Sequence, residues 1–419
     1  MVNRSKTVSI LAPRYMQGFH CLGSACPESC CSSWHIAIDE PTYLKYQTIR
    51  IEPLASRLRE HVQLSTGEAK EQGAFASIKL AMGESCPLLD EQQLCSIQST
   101  LGAEALSSTC NDFPRIYVHD GQGLAMAASL GCPEAARLAL ANDQAMDPVL
   151  LQVEFETERP PALHRRRAPV DAQEQDLVRR HGALLASVLS ALLRLDDLSA
   201  EQALVYGGLM LRRVAGLEGQ ELAVAEAAME QVFEQFLGVQ TLQRAPELVA
   251  SLSVPKEAQF SLLLAAAQRF MRDHGGRASF RALMEEVSRG LELGQSSAHC
   301  LARYEQAERE CLRPFLARHP HLLKNYVLNA LQSSLFPRQG MAELQQEFME
   351  LAVRLALIRF YLVGLAALRG PEFSTDDVLR TVYGVARNIE HNRRFMPGVM
   401  QALQEHGALR LEVLATLLL

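Results

Sequence analysis

The stretch Cys21-Leu22-Gly23-Ser24-Ala25-Cys26-Pro27-Glu28-Ser29-Cys30-Cys31 places four thiols within eleven residues of a 419-residue chain. Adjacent thiols at Cys30 and Cys31 can face different directions from one turn, so the run reads as a metal-ligating or redox site rather than as core filling. A second group follows as Cys86-x8-Cys95-x14-Cys110, with Cys132 beyond it. Eight of the ten cysteines therefore lie before residue 133, a density too high for packing alone. Two other accounts stand beside a metal site: redox-switch disulfides and inert thiols. The N-terminus MVNRSKTVSILAPRYMQGF carries only the short apolar stretch Val8 to Ala12 and no cleavage pattern, so the expected location is cytoplasmic, where thiols stay reduced.

Composition narrows the function classes. With 48% apolar residues the chain is able to bury substantial cores without structural staples, and its length suits two or three domains. A net charge of −7 and a pI near 6.0 argue against broad nucleic-acid binding, which needs a basic surface. No membrane association is expected, because even Leu351 to Leu368 is interrupted by Arg354 and Arg359. Only six of the 41 basic residues are lysines, a bias that a GC-rich genome accounts for.

Around the thiols the pattern is mixed. Trp34 to Asp39 alternates as a strand, Glu40-Pro41-Thr42-Tyr43 opens a helix with proline in its first turn, and Phe75 to Met82 is a second strand candidate. Leu88 to Cys95 reads as a turn between short extended pieces. Ile116–His119 and Leu124–Ala128 flank Asp120-Gly121-Gln122-Gly123 as a hairpin. The proline- and arginine-rich segment Glu158 to Pro169 reads as a solvated linker, in which the basic triplet Arg165 to Arg167 is an alternative site for an anionic partner. From about residue 172 the pattern is helical, with capping signals at Ser199/Gln202 and at Ser374 with Asp376 and Asp377, and a solenoid-like stacking of helix pairs is conceivable. The expectation is a mainly α protein: a small α+β cysteine-rich domain over 1–150, a linker over 151–171 and an all-α domain over 172–419.

Spacing alone leaves the metal open. Two four-thiolate zinc sites use all eight cysteines but lack the paired Cys-x2-Cys knuckles of zinc ribbons, and an iron–sulfur cluster takes four thiolates from distant segments equally well. Two cofactor patterns are missing. Gly121-x-Gly123 has no long βαβ unit around it, which disfavours the doubly wound nucleotide fold. Cys26-x3-Cys30 runs straight into Cys31, which breaks the radical S-adenosylmethionine pattern Cys-x3-Cys-x2-Cys.

A longer motif carries a family resemblance. Tyr15-Met16-x2-Phe19-x-Cys21-x-Gly23-x2-Cys26-x3-Cys30-Cys31-x2-Trp34-x-Ile36-x-Ile38-Asp39 resembles the N-terminal signature of the flagellin lysine-N-methylases. The likeness continues through Cys86-Pro87-Leu88-Leu89, Leu94-Cys95-Ser96-Ile97, Leu101-Gly102, Cys110-Asn111-Asp112-Phe113-Pro114-Arg115 and Ser129-Leu130-Gly131-Cys132-Pro133-Glu134-Ala135-Ala136-Arg137. Weaker echoes follow at Asn325-Tyr326-x2-Asn329 and Arg387-x2-Glu390-His391. The cysteine core is also similar to a wider class of zinc- or iron-chelating cysteine-cluster proteins.

What the resemblance implies is a protein-lysine N-methyltransferase acting on flagellin, with S-adenosylmethionine as donor and a [4Fe-4S] cluster, zinc being the alternative. Cys26, Cys30, Cys31, Cys86, Cys95 and Cys110 form its first ligand pool, and Cys21 and Cys132 are second choices. The rival reading is a non-catalytic metal-binding or redox-sensing adaptor. No residue declares itself the base. Asp39, Tyr15 and Asp112 lie near the thiols but read first as an N-cap, a core tyrosine and a loop hydrogen bond. Arg115 reads as a charge partner for thiolates, and Arg387, Glu390 and His391 as a helix-surface network.

Overall fold

The computed structural model describes every residue except 1–4, 33–35, 68–69, 71–73, 79, 81–84, 122, 157–162, 168–172, 391, 393 and 406–409. Among the described residues the protein is mainly helical, with all its strands before residue 167, as the sequence pattern implies. Trp34, His35 and part of the Phe75–Met82 strand fall outside the described residues.

Two sheets form the N-terminal part. The larger has strand order β7-β1-β6-β5-β8, where β1 is Ser5–Pro13, β5 Arg115–His119, β6 Leu124–Ala128, β7 Pro148–Glu156 and β8 Leu163–Arg166. Strand β1 exists because Ile10 and Ala12 face the core while Leu11 faces out, the period-two alternation that a half-buried strand requires. It pairs antiparallel with β7 along its whole length, from Ser5 opposite Glu156 to Pro13 opposite Pro148. The expected hairpin is present as β5 and β6. The smaller sheet, in the order β2-β4-β3, pairs Ile36–Ile38, Ala76–Ile78 and Val62–Leu64 antiparallel.

The described residues of the stretch 151–171 are mostly strand rather than solvated linker. Most of β7 and all of β8 lie in it, and β8 docks parallel to β5 although its residues, Leu-His-Arg-Arg, show no strand pattern. Its cause is tertiary. The helix His321–Ser334 ends beside it, leaving last-turn carbonyls unpaired; Arg165 donates to Ser333 O at 3.3 Å and Arg167 to Leu335 O at 3.3 Å. The basic triplet is thereby partly spent on internal bonds.

The helical part is organised around one element, the 29-residue helix Met341–Arg369, whose residues from Leu351 to Ala366 are almost all buried. The Met341–Glu372 stretch is long and apolar enough to cross a membrane, but 78% of its apolar window is buried inside the protein, as befits a core helix. Helices including Ala200–Ala215, Ala278–Leu291, Ser297–Ala307, Thr375–Val385 and Leu414–Leu418 pack against it. The arrangement is a bundle about a central helix, not a stacked solenoid. A tight crossing lies at Gly290 and Gly364, where a Cβ on Gly290 would meet Gly364 O at 2.0 Å and one on Gly364 would meet Val287 Cγ1 at 2.6 Å, so both positions demand glycine.

One hydrophobic core runs from Ile10 and Met126 in the larger sheet to Leu418, so the larger sheet and the helices fold as one body. A separate small core of Ile36, Ile38, Tyr46, Leu54, Leu58, Val62, Ala76, Ile78, Leu88 and Ile97 lies in the cysteine-bearing head. Helix capping follows the sequence. Asp39 caps Glu40–Thr48 by accepting from Thr42 N at 2.9 Å, Ser199 and Gln202 form a capping box, and Asp377 accepts from Ser374 N at 3.0 Å.

Candidate metal centre

The head brings the thiols together from four chain segments. Cys31 and Cys86 are joined through the backbone, Cys86 N donating to Cys31 O at 2.8 Å beside a bridge between Ser32 and Ser85. Cys95 sits at the start of the helix Ser96–Leu101, bridged to Leu89, and Cys110 N donates to Ser107 Oγ at 3.3 Å in the short helix Ser108–Asp112. These four cysteines pack around the small core. Cys132, at the N-terminus of the helix Pro133–Ala139, packs instead on the main core.

Cys30 is the hub. It hydrogen-bonds Cys31 and lies within electrostatic range of Cys26, Cys86, Cys110 and Cys132. Cys95 is coupled to Cys86 and Cys110. Cys21 is exposed, accepts from Gly23 N at 3.5 Å and lies within electrostatic range of Cys26. Cys26, Cys30, Cys31, Cys86, Cys95 and Cys110 thus share one neighbourhood, with Cys132 within electrostatic range of it from the main core and Cys21 exposed at its margin.

Electrostatics shows what the pocket of thiols resists. The bond to Cys31, then burial, push Cys30 far above an ordinary thiol. Burial pushes Cys86 up to about 11, Cys110 up to about 12 and Cys132 up to about 11, with the neighbouring sulfurs adding to each. A buried thiolate beside other thiolates is costly unless a cation shares the site, and a coordinated metal deprotonates such thiols outright. Soft, converging thiols are the donor chemistry of zinc and of iron–sulfur clusters. Among the described residues no three Cys, His, Asp or Glu side chains close into a ready-made metal sphere.

Two positive charges face these thiols from the helical body. Arg387, buried, pairs with Glu28 Oε1 at 3.1 Å and donates to Ser29 O at 2.5 Å; it is not part of a helix-surface network. Arg277, also buried, donates to Ser32 Oγ at 2.9 Å and to Ser32 O. Burial, with Arg387 alongside, pushes Arg277 down to about 10. Sequence reading missed Arg277 and Glu28. The available signal was Gly275-Gly276 immediately before Arg277, both at positive φ, which breaks the helix Lys256–His274 and turns the chain toward the head.

The other singled-out residues have structural duties. Asp39 caps its helix and accepts from Ser108 N at 3.2 Å; burial raises its carboxyl, but the bonds from Thr42 and Ser108 outweigh that and hold it below the usual range, which makes it a poor base. Tyr15 donates to Asn329 Oδ1 at 2.7 Å and accepts from Ala128 N at 3.0 Å, and burial drives its phenol up. Asn329 returns a bond to Ala128 O at 3.0 Å, and Asn325 donates to Ala139 O and Asn142 O, so this motif ties the helix His321–Ser334 to β6 and to the helix after Cys132. Asp112 accepts from Asn111 Nδ2 at 3.3 Å, and the Arg115 guanidinium stacks over Phe19 at 5.3 Å. Glu390 accepts from Tyr326 at 2.6 Å, and His391 lies outside the described residues. Cys300 and Cys311 belong to the helical core.

Away from the thiols, a cavity of about 710 Å³ opens in the helical body. Arg359 of the central helix lies at its floor between Glu201 at 2.8 Å and Glu308 at 2.9 Å, with Arg313 on Glu308 at 3.2 Å and Lys256 nearby. Leu198, Val249, Leu316 and Leu323 supply apolar wall.

These features define a class: a helical bundle carrying a thiol-rich head that is docked by buried arginines. Residues 187–417, more than half of the chain, match the family model described as FliB lysine N-methylase C-terminal domain. The chain belongs to the FliB lysine N-methylase family. Lysine-N-methylase of Salmonella typhimurium is 26% identical over 403 residues, covering 92% of this chain and 93% of that protein, and the protein of the same name from Salmonella choleraesuis matches equally. Flagellar biosynthetic protein FliU of Salmonella muenchen is 36% identical over 143 residues, 34% of this chain and 82% of its own length. No solved structure matches the chain.

Proposed function

We propose that this protein is a lysine N-methyltransferase that transfers methyl groups from S-adenosylmethionine to surface lysines of flagellin, with a metal held by its cysteine head. The observation that carries the reading is the end-to-end match to lysine-N-methylases, 92% of this chain against 93% of the relative, which includes head and bundle alike. The flagellar name of the relative that matches over 143 residues favours a flagellar substrate.

The chemistry sets what the chain must do. A neutral lysine Nε attacks the sulfonium methyl carbon, the N–C bond forms as the S–C bond breaks, sulfur keeps the electron pair, and the nitrogen sheds one proton. Alignment and a desolvated amine supply most of the acceleration in such a displacement. Asp39 and Tyr15 are committed to structural hydrogen bonds, which favours proton release to water over release to either of them. A donor of this size needs a cavity of several hundred Å³, about 300–1,000 for small-molecule sites. The cavity above Arg359 meets that need, and its paired charges match a ligand carrying carboxylate, ammonium and sulfonium groups.

The metal reading assigns Cys26, Cys30, Cys31, Cys86, Cys95 and Cys110 as the ligand pool, with Cys132 next and Cys21 last. A [4Fe-4S] cluster is preferred to zinc on family resemblance, and either metal, when bound, fastens the four thiol-bearing segments together. Protein purified without oxygen should be brown and carry iron and acid-labile sulfide in near-equal amounts; stoichiometric zinc with negligible iron overturns the cluster. Incubated with S-adenosylmethionine and flagellin of the same organism, it should add increments of about 14 Da, one methylene each, to flagellin lysines. Tight partner binding without any mass gain would replace the methyltransferase with the adaptor.

A further inference from the structure

The loop Cys26–Ser32 holds three of the thiols, yet it carries little regular structure of its own. Its shape is imposed from the helical body. Arg387 contributes Nη1 to Glu28 O at 3.3 Å and Nη2 to Ser29 O at 2.5 Å, beside its ion pair with Glu28. Arg277 takes both Ser32 oxygens, and Ser279 Oγ donates to Glu28 Oε1 at 2.8 Å. The Ser29 and Ser32 carbonyls bracket Cys30 and Cys31, so the tandem thiols are gripped from both sides.

The grip is itself braced. Arg387 stands in a π-helical turn, Ala386–Glu390, a distortion that is frequent at functional sites. In the same turn Asn388 Oδ1 accepts from Arg277 N at 2.9 Å while its Nδ2 donates to Gly384 O at 2.8 Å, which links the two arginines through one side chain. Charge makes the arrangement more than a dock. Two buried guanidinium groups share a single carboxylate, Glu28, and Arg277 hydrogen-bonds only the neutral oxygens of Ser32 among the partners described. A buried cation without an anion is costly. Cys26 and Cys30 are the sulfurs nearest to this charge, and a metal bound there would bring negative thiolates beside the two guanidinium groups.

We propose that Arg277 and Arg387 are positioning residues of the thiol centre, which fix the Cys30–Cys31 turn against the helical body and offset the negative charge that metal-bound thiolates bring there. This rests on the reading that the cysteines hold a metal. Partners that orient metal ligands typically account for about 10–100-fold in affinity.

The test uses the full chain purified without oxygen, unsubstituted and as Arg277→Gln, Arg387→Gln and Arg387→Lys. Metal per protein, the rate of metal release to a chelator and, for iron, the midpoint reduction potential are measured beside far-UV circular dichroism. Expected are about 10-fold or faster release in both glutamine variants and a potential moved to more negative values, with helical content retained. Arg387→Lys, which keeps the charge but loses the fork, should recover part of the retention. Unchanged release and potential in both folded glutamine variants overturn the proposal. Where a glutamine variant does not fold, hydrogen exchange on the unsubstituted chain decides: stripping the metal should loosen 26–32 together with 277–279 and 386–390, and loosening confined to 26–32 overturns it. Absence of metal from the unsubstituted protein overturns the parent reading and this one with it, whereas metal with insensitive arginine variants overturns this one alone.

Discussion

The cysteine head and the helical bundle are built on opposite economies. The bundle wraps a helix whose side chains from Leu351 to Ala366 are almost wholly buried, and it spends that burial on accommodating an arginine between two glutamates. The head has a core of little more than a dozen side chains, strands of three residues and thiols that resist ionisation. A core that small does not order so much irregular chain by itself. The bundle has burial enough to hold an internal ion network, whereas the head has little apolar burial of its own.

The sharpest break in this comparison is removal of the proposed metal. Binding free energy in small metal-organised domains is largely folding free energy, about 10–16 kcal/mol for structural zinc in finger peptides. Chelation should therefore abolish hydrogen-exchange protection across 36–38, 76–78 and 96–110 while Met341–Arg369 keeps its own. Cys30→Ser and Cys110→Ser should lose metal, and Cys300→Ser and Cys311→Ser should keep it. Equal loss in all four would erase the distinction between the regions.

Next in size is the buried ion network of the bundle. Glu308→Gln leaves Arg359 short of one anion and should cost about 3–5 kcal/mol by denaturant titration at neutral pH. Burial raises the Glu308 carboxyl, but Arg359, Lys256 and Arg313 together outweigh it and hold the group below its usual range. Its contribution is therefore complete above the unfolded value of about 4.3 and is lost as pH falls through the depressed folded value. The gap between the unsubstituted protein and Glu308→Gln should shrink in that acid window; a gap independent of pH would assign the loss to packing.

A smaller effect tests the central crossing. Gly364→Ala forces a Cβ against Val287 Cγ1 at 2.6 Å and should destabilise the bundle by about 1–3 kcal/mol, the range for overpacked cores. Smallest is Ser199→Ala, which opens the capping box of Ala200–Ala215 at about 1 kcal/mol. Both should lower the melting of the bundle without changing metal content, and a change in metal content would show that head and bundle are one cooperative unit.

Much was legible in the chain. Helical periodicity, the capping residues at Asp39, Ser199 and Ser374, the β5–β6 hairpin and the concentration of thiols in the N-terminal part all follow from local pattern, because capping, alternation and thiol density act within a few residues. Strand β7 was also legible in principle, since Leu151, Val153 and Phe155 alternate with Leu150, Gln152 and Glu154, but the charged segment after it drew the whole stretch into a linker.

By itself the sequence determined which segments are helical, that the thiols are concentrated in one N-terminal region and that the chain follows the lysine-N-methylase pattern. Only the tertiary structure decided that Leu163–Arg166 is a strand, that Arg359 is buried between two glutamates, and that Arg277 and Arg387 reach the cysteine loop across 245 and 358 residues of chain. Each of these depends on a partner remote in sequence: an open strand edge, two facing carboxylates, a row of loop carbonyls. A charged residue looks alike in sequence whether water or a distant backbone oxygen satisfies it, and folding alone makes the choice.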